Sequence, residues 1–235
     1  MVDVVPGYID IRGLSRHYRQ GSEEQRVLGD VSFTMARGET VALLGRSGSG
    51  KTTLLNLISG VDRAEQGRVL INGTDLTGLD ERARTLFRRQ HIGFIYQFFN
   101  LVPSLTAAEN IALPLELNGT PLVAALDHAR HLLDSAGMLS KAGQFPSQLS
   151  GGEQQRVAIL RALVHAPALI LADEPTGNLD AQTGLQMLGV LRGHLQQSGS
   201  TTLLVTHSLA VAQTADRILT LEDGGIQERT GDFAW

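Results

Sequence analysis

Cysteine is absent from this 235-residue chain, so no disulfide can staple it and no thiolate can hold a metal. That suits a reducing compartment. Equally absent is any uninterrupted apolar run near the ~20 residues that a bilayer crossing requires. The stretch Met1-Val2-Asp3-Val4-Val5-Pro6-Gly7 has neither the basic start nor the long apolar run of a signal peptide, and the expectation is a chain soluble by itself. Positive charge is not in excess either. The 20 Lys and Arg against 24 Asp and Glu leave a formal net charge of -4, which gives no global attraction to nucleic acid or anionic lipid, local patches aside. Internal repeats and low-complexity segments are also lacking. The length allows one large domain, or one domain with a lobe, to bury a proper core.

What the chain does have is a glycine-rich stretch that organises the rest, Gly45-Arg46-Ser47-Gly48-Ser49-Gly50-Lys51-Thr52-Thr53. It reads G-x-x-x-x-G-K-T. The apolar run Thr40-Val41-Ala42-Leu43-Leu44 leads in, and Leu54-Leu55-Asn56-Leu57-Ile58 leads out before Gly60, so the order is strand, loop, helix. In such a loop the glycines let successive backbone N–H groups converge on a phosphate, and the helix N-terminus adds partial positive charge. Lys51 then reaches the β- and γ-phosphates of a nucleotide, and the Thr52 hydroxyl is left for Mg²⁺.

Elsewhere Ile9-Asp10-Ile11-Arg12 and Val31-Ser32-Phe33-Thr34-Met35 alternate as half-buried strands of an antiparallel side sheet, with Gly21-Ser22-Glu23-Glu24 as a polar turn between them. Val69 to Thr74 reads as a strand with a hairpin at Asn72-Gly73, a pair suited to a type I′ turn. The charged segment from Glu81 to Arg89 reads as a helix with a solvated face, or as a site for an acidic partner. His91 to Tyr96 returns to strand. From Phe98 to about Ala162 the pattern is helical, including a helix with Thr120 as N-cap, Pro121 at the first position and Gly137 closing it. The buried-strand runs Ala168-Leu169-Ile170-Leu171-Ala172 and Thr202-Leu203-Leu204-Val205-Thr206 flank a helix expected from about 181 to 197, a right-handed βαβ unit. Arg217 to Glu228 reads as a hairpin turned by Asp223-Gly224.

The run Leu169-Ile170-Leu171-Ala172-Asp173-Glu174 puts two carboxylates where a buried strand emerges, the end at which open α/β sheets bind ligands. Asp173 suits Mg²⁺, and Glu174, free of the metal, suits polarising an attacking water. His207 ends another apolar strand, where it reads either as a donor to the γ-phosphate and the water or as a strand-end histidine packed in a loop. Gln97 also ends a strand, where it reads either as a residue that reaches Mg²⁺ or the water or as an ordinary surface glutamine. Leu149-Ser150-Gly151-Gly152-Glu153 opens a further helix. It is either an ordinary Ser-capped start or a second anion site that belongs to the nucleotide of another subunit, so that two ATP molecules would be held at an isologous dimer interface.

In this order residues 45–53, Gln97, 149–153, 169–174, Asn178-Leu179-Asp180 and His207 resemble the Walker A, Q-loop, signature, Walker B, D-loop and H-loop of ATP-binding cassette (ABC) ATPases. The resemblance covers essentially the whole chain. It implies an α/β fold: a P-loop NTPase core with a mainly parallel sheet, an antiparallel β side sheet and an inserted helical subdomain. The division expected is a single domain 1–235, with core 1–97 and 163–235 and helical subdomain 98–162. It also implies ATP and Mg²⁺ as ligands, Tyr18 stacked on adenine, and a head-to-tail dimer in which Ser150 and Gly152 of one subunit face the γ-phosphate bound by the other. Glu153 stands where glutamine is commonest in the family, and Gly177-Asn178 replaces the more usual small pair. Neither removes a phosphate ligand or the base, so an active ATPase is expected.

More narrowly, residues 96–103, Glu109-Asn110 with Leu113-Pro114, 149–156 and 172–180 are similar to the lipoprotein-releasing and MacB-type exporter subfamily. The resemblance implies a separate membrane permease as partner, a position at the cytoplasmic face of the inner membrane, and no nucleic acid. The permease's coupling helix would dock in a groove between core and helical lobe near Gln97 to Ser104, with Phe98, Phe99, Leu101 and Val102 lining it or simply packing in the core. Alternatives are an ABC-type ATPase acting on ribosomes or DNA, or one that regulates a cell-wall enzyme through a permease-like protein.

Overall fold

A computed structural model describes residues 8–20, 23–177 and 199–229, with the glycines at 184, 189 and 193. The helix expected from about 181 to 197 lies, those glycines apart, outside the described residues. So do Asn178, Leu179 and Asp180, and the turn at Gly21-Ser22. The chain divides into two compact units, Met1–Leu86 with Thr201–Trp235, and Phe87–Ser200. No helix among the described residues is long and apolar enough to cross a membrane.

In the first unit, β1 (Ile9–Gln20), β2 (Glu23–Met35), β4 (Gln66–Ile71) and β5 (Thr74–Asp75) form an antiparallel sheet in the order β2-β1-β4-β5. Its first two strands run well beyond the alternating stretches. Their pairing carries register shifts between Ile11 and Leu14 and again on to Arg16 and His17, and such irregularities break the strict two-residue period. β4 and β5 turn at Asn72 and Gly73, whose φ values of 48° and 78° are those of the expected type I′ turn.

Beside that sheet β3 (Thr40–Leu44) pairs in parallel with both β8 (Thr201–Thr206) and β9 (Arg217–Glu222), and β9 turns through Asp223-Gly224 into antiparallel β10 (Gly225–Arg229). The apolar runs of β3 and β8 are buried along nearly their whole length, at ~1.5–3 kcal/mol per large side chain. Between β3 and β4 lies α1 (Lys51–Ile58), and a short α6 (Leu209–Ala212) follows β8.

In the second unit β6 (Ile92–Ile95) pairs in parallel with β7 (Leu169–Asp173). The helices α3 (Ala107–Leu117), α4 (Leu122–Ser135) and α5 (Gly151–Leu163) close on a cluster that includes Ala108, Ile111, Ala129, Leu133, Val157 and Leu160. Its many alanines let the helix backbones approach closely. The start of α4 differs from the expectation: Pro121 is itself the N-cap, extended at ψ 140°, with no side-chain cap. Thr120 instead donates its N–H to Leu115 O at 3.0 Å, which turns it back on α3. The charged α2 (Glu81–His91) is not solvated all round, since Arg84 is buried and pairs with Glu81 at 2.7 Å.

Candidate functional site

β3 delivers the chain to Gly45 and α1 takes it up at Lys51. A methyl group on Gly45 would stand 2.6 Å from Ser49 Oγ and 2.9 Å from Leu221 O, so no side chain fits there. Gly50 is the N-cap of α1 at φ 98°; it supplies no capping side chain, and the first turn holds no acidic residue. The positive end of the helix is therefore left for an anion. Lys51 Nζ donates to Gly45 O at 2.8 Å and to Arg46 O at 2.9 Å, which folds the ammonium over the loop. Ser49 Oγ is buried with no hydrogen-bond partner among the described residues. An orphaned hydroxyl in this loop is what a ligand oxygen would satisfy. Arg46, Ser47, Gly48 and Ser49 line a cavity of about 590 Å³ whose other walls are Arg26, Val27 and residues 221–224.

The register of the parallel pair sets Leu44 opposite Thr206. Gly45 and His207 therefore leave the sheet at the same edge, with His207 exposed. The turn after it is fixed by Ser208, which accepts from Val211 N–H at 3.4 Å and donates its own N–H to Thr206 Oγ1 at 3.0 Å.

Tyr18 is 40% exposed. Across the register shift between Arg16 and His17, Arg16 lays its guanidinium 4.9 Å from the ring centroid. The Tyr18 hydroxyl donates to Asp62 Oδ2 at 3.1 Å, and Arg16 pairs with Asp62 at 3.1 Å and Glu65 at 3.5 Å. His17 hydrogen bonds, from its ring and its backbone, hold the Glu65 carboxyl below its usual range. The tyrosine thus stands clamped in a charged cluster on one ring face.

In the second unit Ile95 lies opposite Ala172, so Tyr96-Gln97 and Asp173-Glu174 emerge at one edge. Glu174 sits at φ 45°, a left-handed backbone that costs a residue with a side chain ~1–2 kcal/mol. The following loop is held in two places. Gly177 donates its N–H to Glu174 O at 2.9 Å, and the buried Gln155 of α5 donates from Nε2 to Pro175 O at 2.7 Å. A methyl on Gly177 would stand 3.1 Å from Gln97 Nε2 and 3.4 Å from Glu174 Cβ, so Gln97 and Glu174 converge on this glycine.

The segment after Gln97 is tied from two helices. Arg161 donates to Phe99 O at 2.9 Å and Asn100 O at 2.7 Å, and burial lowers its pKa. Asn110, wholly buried, accepts from Val102 N–H at 2.8 Å and donates to the carbonyls of Val102, Leu105 and Thr106.

At the start of α5, Ser150 is the N-cap and forms a capping box with Glu153. Ser150 N–H donates to Glu153 Oε2 at 2.8 Å, while Glu153 N–H reaches Ser150 Oγ at 3.3 Å. Lys141 pairs with Glu153 at 3.0 Å. The Ser150 N–H first, and Lys141 next, push the Glu153 carboxyl down to about 2. Gly151 follows with Phe99 alongside, 3.8 Å from where a methyl would stand, and Gly152 completes the turn. Asp180 lies outside the described residues.

Asn110 and Gln155 entered the sequence reading only within stretches that carry the subfamily resemblance, and neither they nor Arg161 received a role there. For Gln155 a signal existed: with Ala158, Ile159 and Ala162 it falls at i, i+3, i+4 and i+7 on the buried face of α5, and a polar residue on such a face needs a partner. Among the described residues no three His, Asp or Glu gather as a metal cluster.

Comparison with known proteins places this geometry. A family model described as ABC transporter matches residues 28–177, which include the glycine-rich loop, Gln97, the α5 start and Asp173-Glu174. An uncharacterized ABC transporter ATP-binding protein of Mycobacterium tuberculosis is 52% identical over 216 residues, 92% of this chain and 87% of that protein. The lipoprotein-releasing system ATP-binding protein LolD of Zymomonas mobilis is 43% identical over 220 residues, 94% of this chain and 95% of that one. Among solved structures, the dimeric post-hydrolysis state of the ATP-binding cassette MJ0796 bound to ADP and Pi gives a TM-score of 0.85 at 38% identity, covering 95% of this chain and all of that one.

Proposed function

The chain belongs to the ABC transporter family, and from that premise, which makes it an ATPase, we propose that it is the nucleotide-binding subunit driving a separate membrane permease of the lipoprotein-releasing or MacB type. Its similarity to LolD supports that partner. The dimeric MJ0796 cassette supports the working form, a pair of copies closed head to tail on two ATP molecules. The subunit then sits at the cytoplasmic face of the inner membrane, held there by the permease. Residues 1–97 and 163–235 make the catalytic core, and 98–162 the helical subdomain.

The observation that carries the reading is the glycine-opened, uncapped N-terminus of α1, with Lys51 folded over its loop and Ser49 Oγ buried without a partner. In this account the N–H groups of 45–53 and Lys51 bind the β- and γ-phosphates, and Tyr18 offers adenine the ring face that Arg16 does not cover. Thr52, Gln97 and Asp173 would each offer an oxygen to Mg²⁺, an ion that keeps waters and substrate phosphates as its other ligands. Bound there, Mg²⁺ neutralises charge that develops on the phosphates.

Glu174 takes the proton of the attacking water, and its fixed backbone keeps the carboxylate aimed. A positioned base of this kind contributes about 10²–10⁴ in rate. His207 and Gln97 orient the water and γ-phosphate. Ser150, Gly151 and Gly152 meet the γ-phosphate held by the other subunit, and Asp180 is assigned to nucleotide binding as well. ATP binding therefore closes the dimer, and hydrolysis removes the group that both halves hold.

The test is capture from cross-linked membranes with the Glu174→Gln protein and ATP. Recovery of a permease supports the motor reading. Recovery of ribosomal or DNA-associated proteins alone overturns the membrane role.

A further inference from the structure

We infer that Lys141 is a positioning residue for the signature turn: by pairing with Glu153 it neutralises the carboxylate in the first turn of α5 and steadies the capping box around Ser150, so that the turn accepts an anion. This rests on the reading that residues 150–152 meet the γ-phosphate held by a second copy.

The physical problem is one of sign. A helix N-terminus carries roughly +0.5 charge, and a carboxylate there stabilises the helix while opposing an incoming phosphate. Glu153 is the acidic residue of this first turn. It stays ionised far into the acid range, so protonation does not relieve the opposition. Lys141 does, at 3.0 Å. The lysine is also well placed to hold its position. It ends the 3₁₀ turn Leu139–Lys141, donates its N–H to Met138 O at 2.9 Å and accepts from Gln144 N–H at 2.9 Å, and Gln144 O in turn accepts from Ala107 N–H at the start of α3. Within the box the bond from Ser150 N–H to the carboxylate, 2.8 Å, is tighter than the one from Glu153 N–H to the hydroxyl, 3.3 Å. The carboxylate that Lys141 restrains is therefore what sets the Ser150 backbone.

The experiment measures ATP-dependent dimerisation of the full chain in the Glu174→Gln background by sedimentation, with nucleotide binding to the monomer and thermal melting alongside. Lys141→Met is expected to weaken dimerisation by roughly two- to fivefold, the scale of one partly exposed charge pair, while monomer ATP binding stays unchanged. Lys141→Arg restores dimerisation. So does adding Glu153→Gln to Lys141→Met, because the amide oxygen still accepts from Ser150 N–H and carries no charge. Wild-type dimerisation by Lys141→Met overturns the inference, as does a double variant no better than the single. Ser150→Arg separates the two levels. If it fails to block dimerisation, the underlying reading of residues 150–152 is wrong; if it blocks while Lys141→Met has no effect, only the role of Lys141 is lost.

Discussion

Replacing Asn110 with alanine should unfasten the loop that follows Gln97, and the cost can be worked from its bonds. Asn110 is fully buried and is the acceptor for Val102 N–H at 2.8 Å. Of the carbonyls it serves, Val102 O keeps Leu105 N–H at 3.1 Å and Thr106 O keeps the Asn110 backbone N–H at 2.9 Å, so those losses are small. The stranded Val102 N–H costs about 1–3 kcal/mol, and the space left by the amide adds about 1 kcal/mol. A total of roughly 2–4 kcal/mol lowers the melting temperature by about 4–16 °C, at ~2–4 °C per kcal/mol for a chain of this length. Thermal melting followed by circular dichroism gives the global figure, and hydrogen exchange at the Val102 amide gives the local one. A melting shift below about 2 °C with the Val102 amide still protected would refute the reasoning.

Gly50→Ala puts a methyl 2.9 Å from Val27 Cγ1 on a backbone at φ 98°; a fluorescent ATP titration should show about a five- to thirtyfold loss of affinity, one strained residue being worth ~1–2 kcal/mol. Because the Glu153 carboxyl is depressed to about 2, its capping contribution is fully present above the ordinary carboxylate range and is lost as pH falls from about 4.5 towards 2. In acid-unfolding curves the stability advantage of wild type over Glu153→Gln should shrink across that window; an advantage that grows there contradicts the assignment. Phe98 is 70% exposed whereas Phe99 is partly covered, so Phe98 rather than Phe99 is the residue to change at the permease surface. Phe98→Glu should abolish capture of the permease while the isolated subunit hydrolyses ATP at the wild-type rate, and equal loss of both activities would count against that surface.

Local signals were the readable ones. Asn72-Gly73 and Asp223-Gly224 declared their turns because positive φ selects those residues. The apolar runs of β3, β7 and β8 declared buried strands because each is covered on both faces, and Ser150 declared a helix start by its own capping chemistry. What stayed hidden depends on partners far along the chain. Gln155 bonds to Pro175, Arg161 to Phe99 and Asn100, and Lys141 to Glu153; the helical period marks Gln155 as needing a partner, but no window of a few residues names the partner in any of these pairs. The full extent of β1 and β2 was obscured by their shifts of register. Thr120 and Pro121 misled by one position because a proline, its φ set by the ring, can also stand extended as the cap itself.

In the proposed function two copies of this chain close on ATP and reopen when Glu174 assists hydrolysis. The most direct measurement is the mass in solution of the Glu174→Gln protein with and without Mg-ATP, together with its rate of phosphate release. The expected result is a stable dimer holding two ATP molecules and a rate reduced by about 10²–10⁴. A protein that stays monomeric with ATP bound, or that turns over at the wild-type rate, would contradict it.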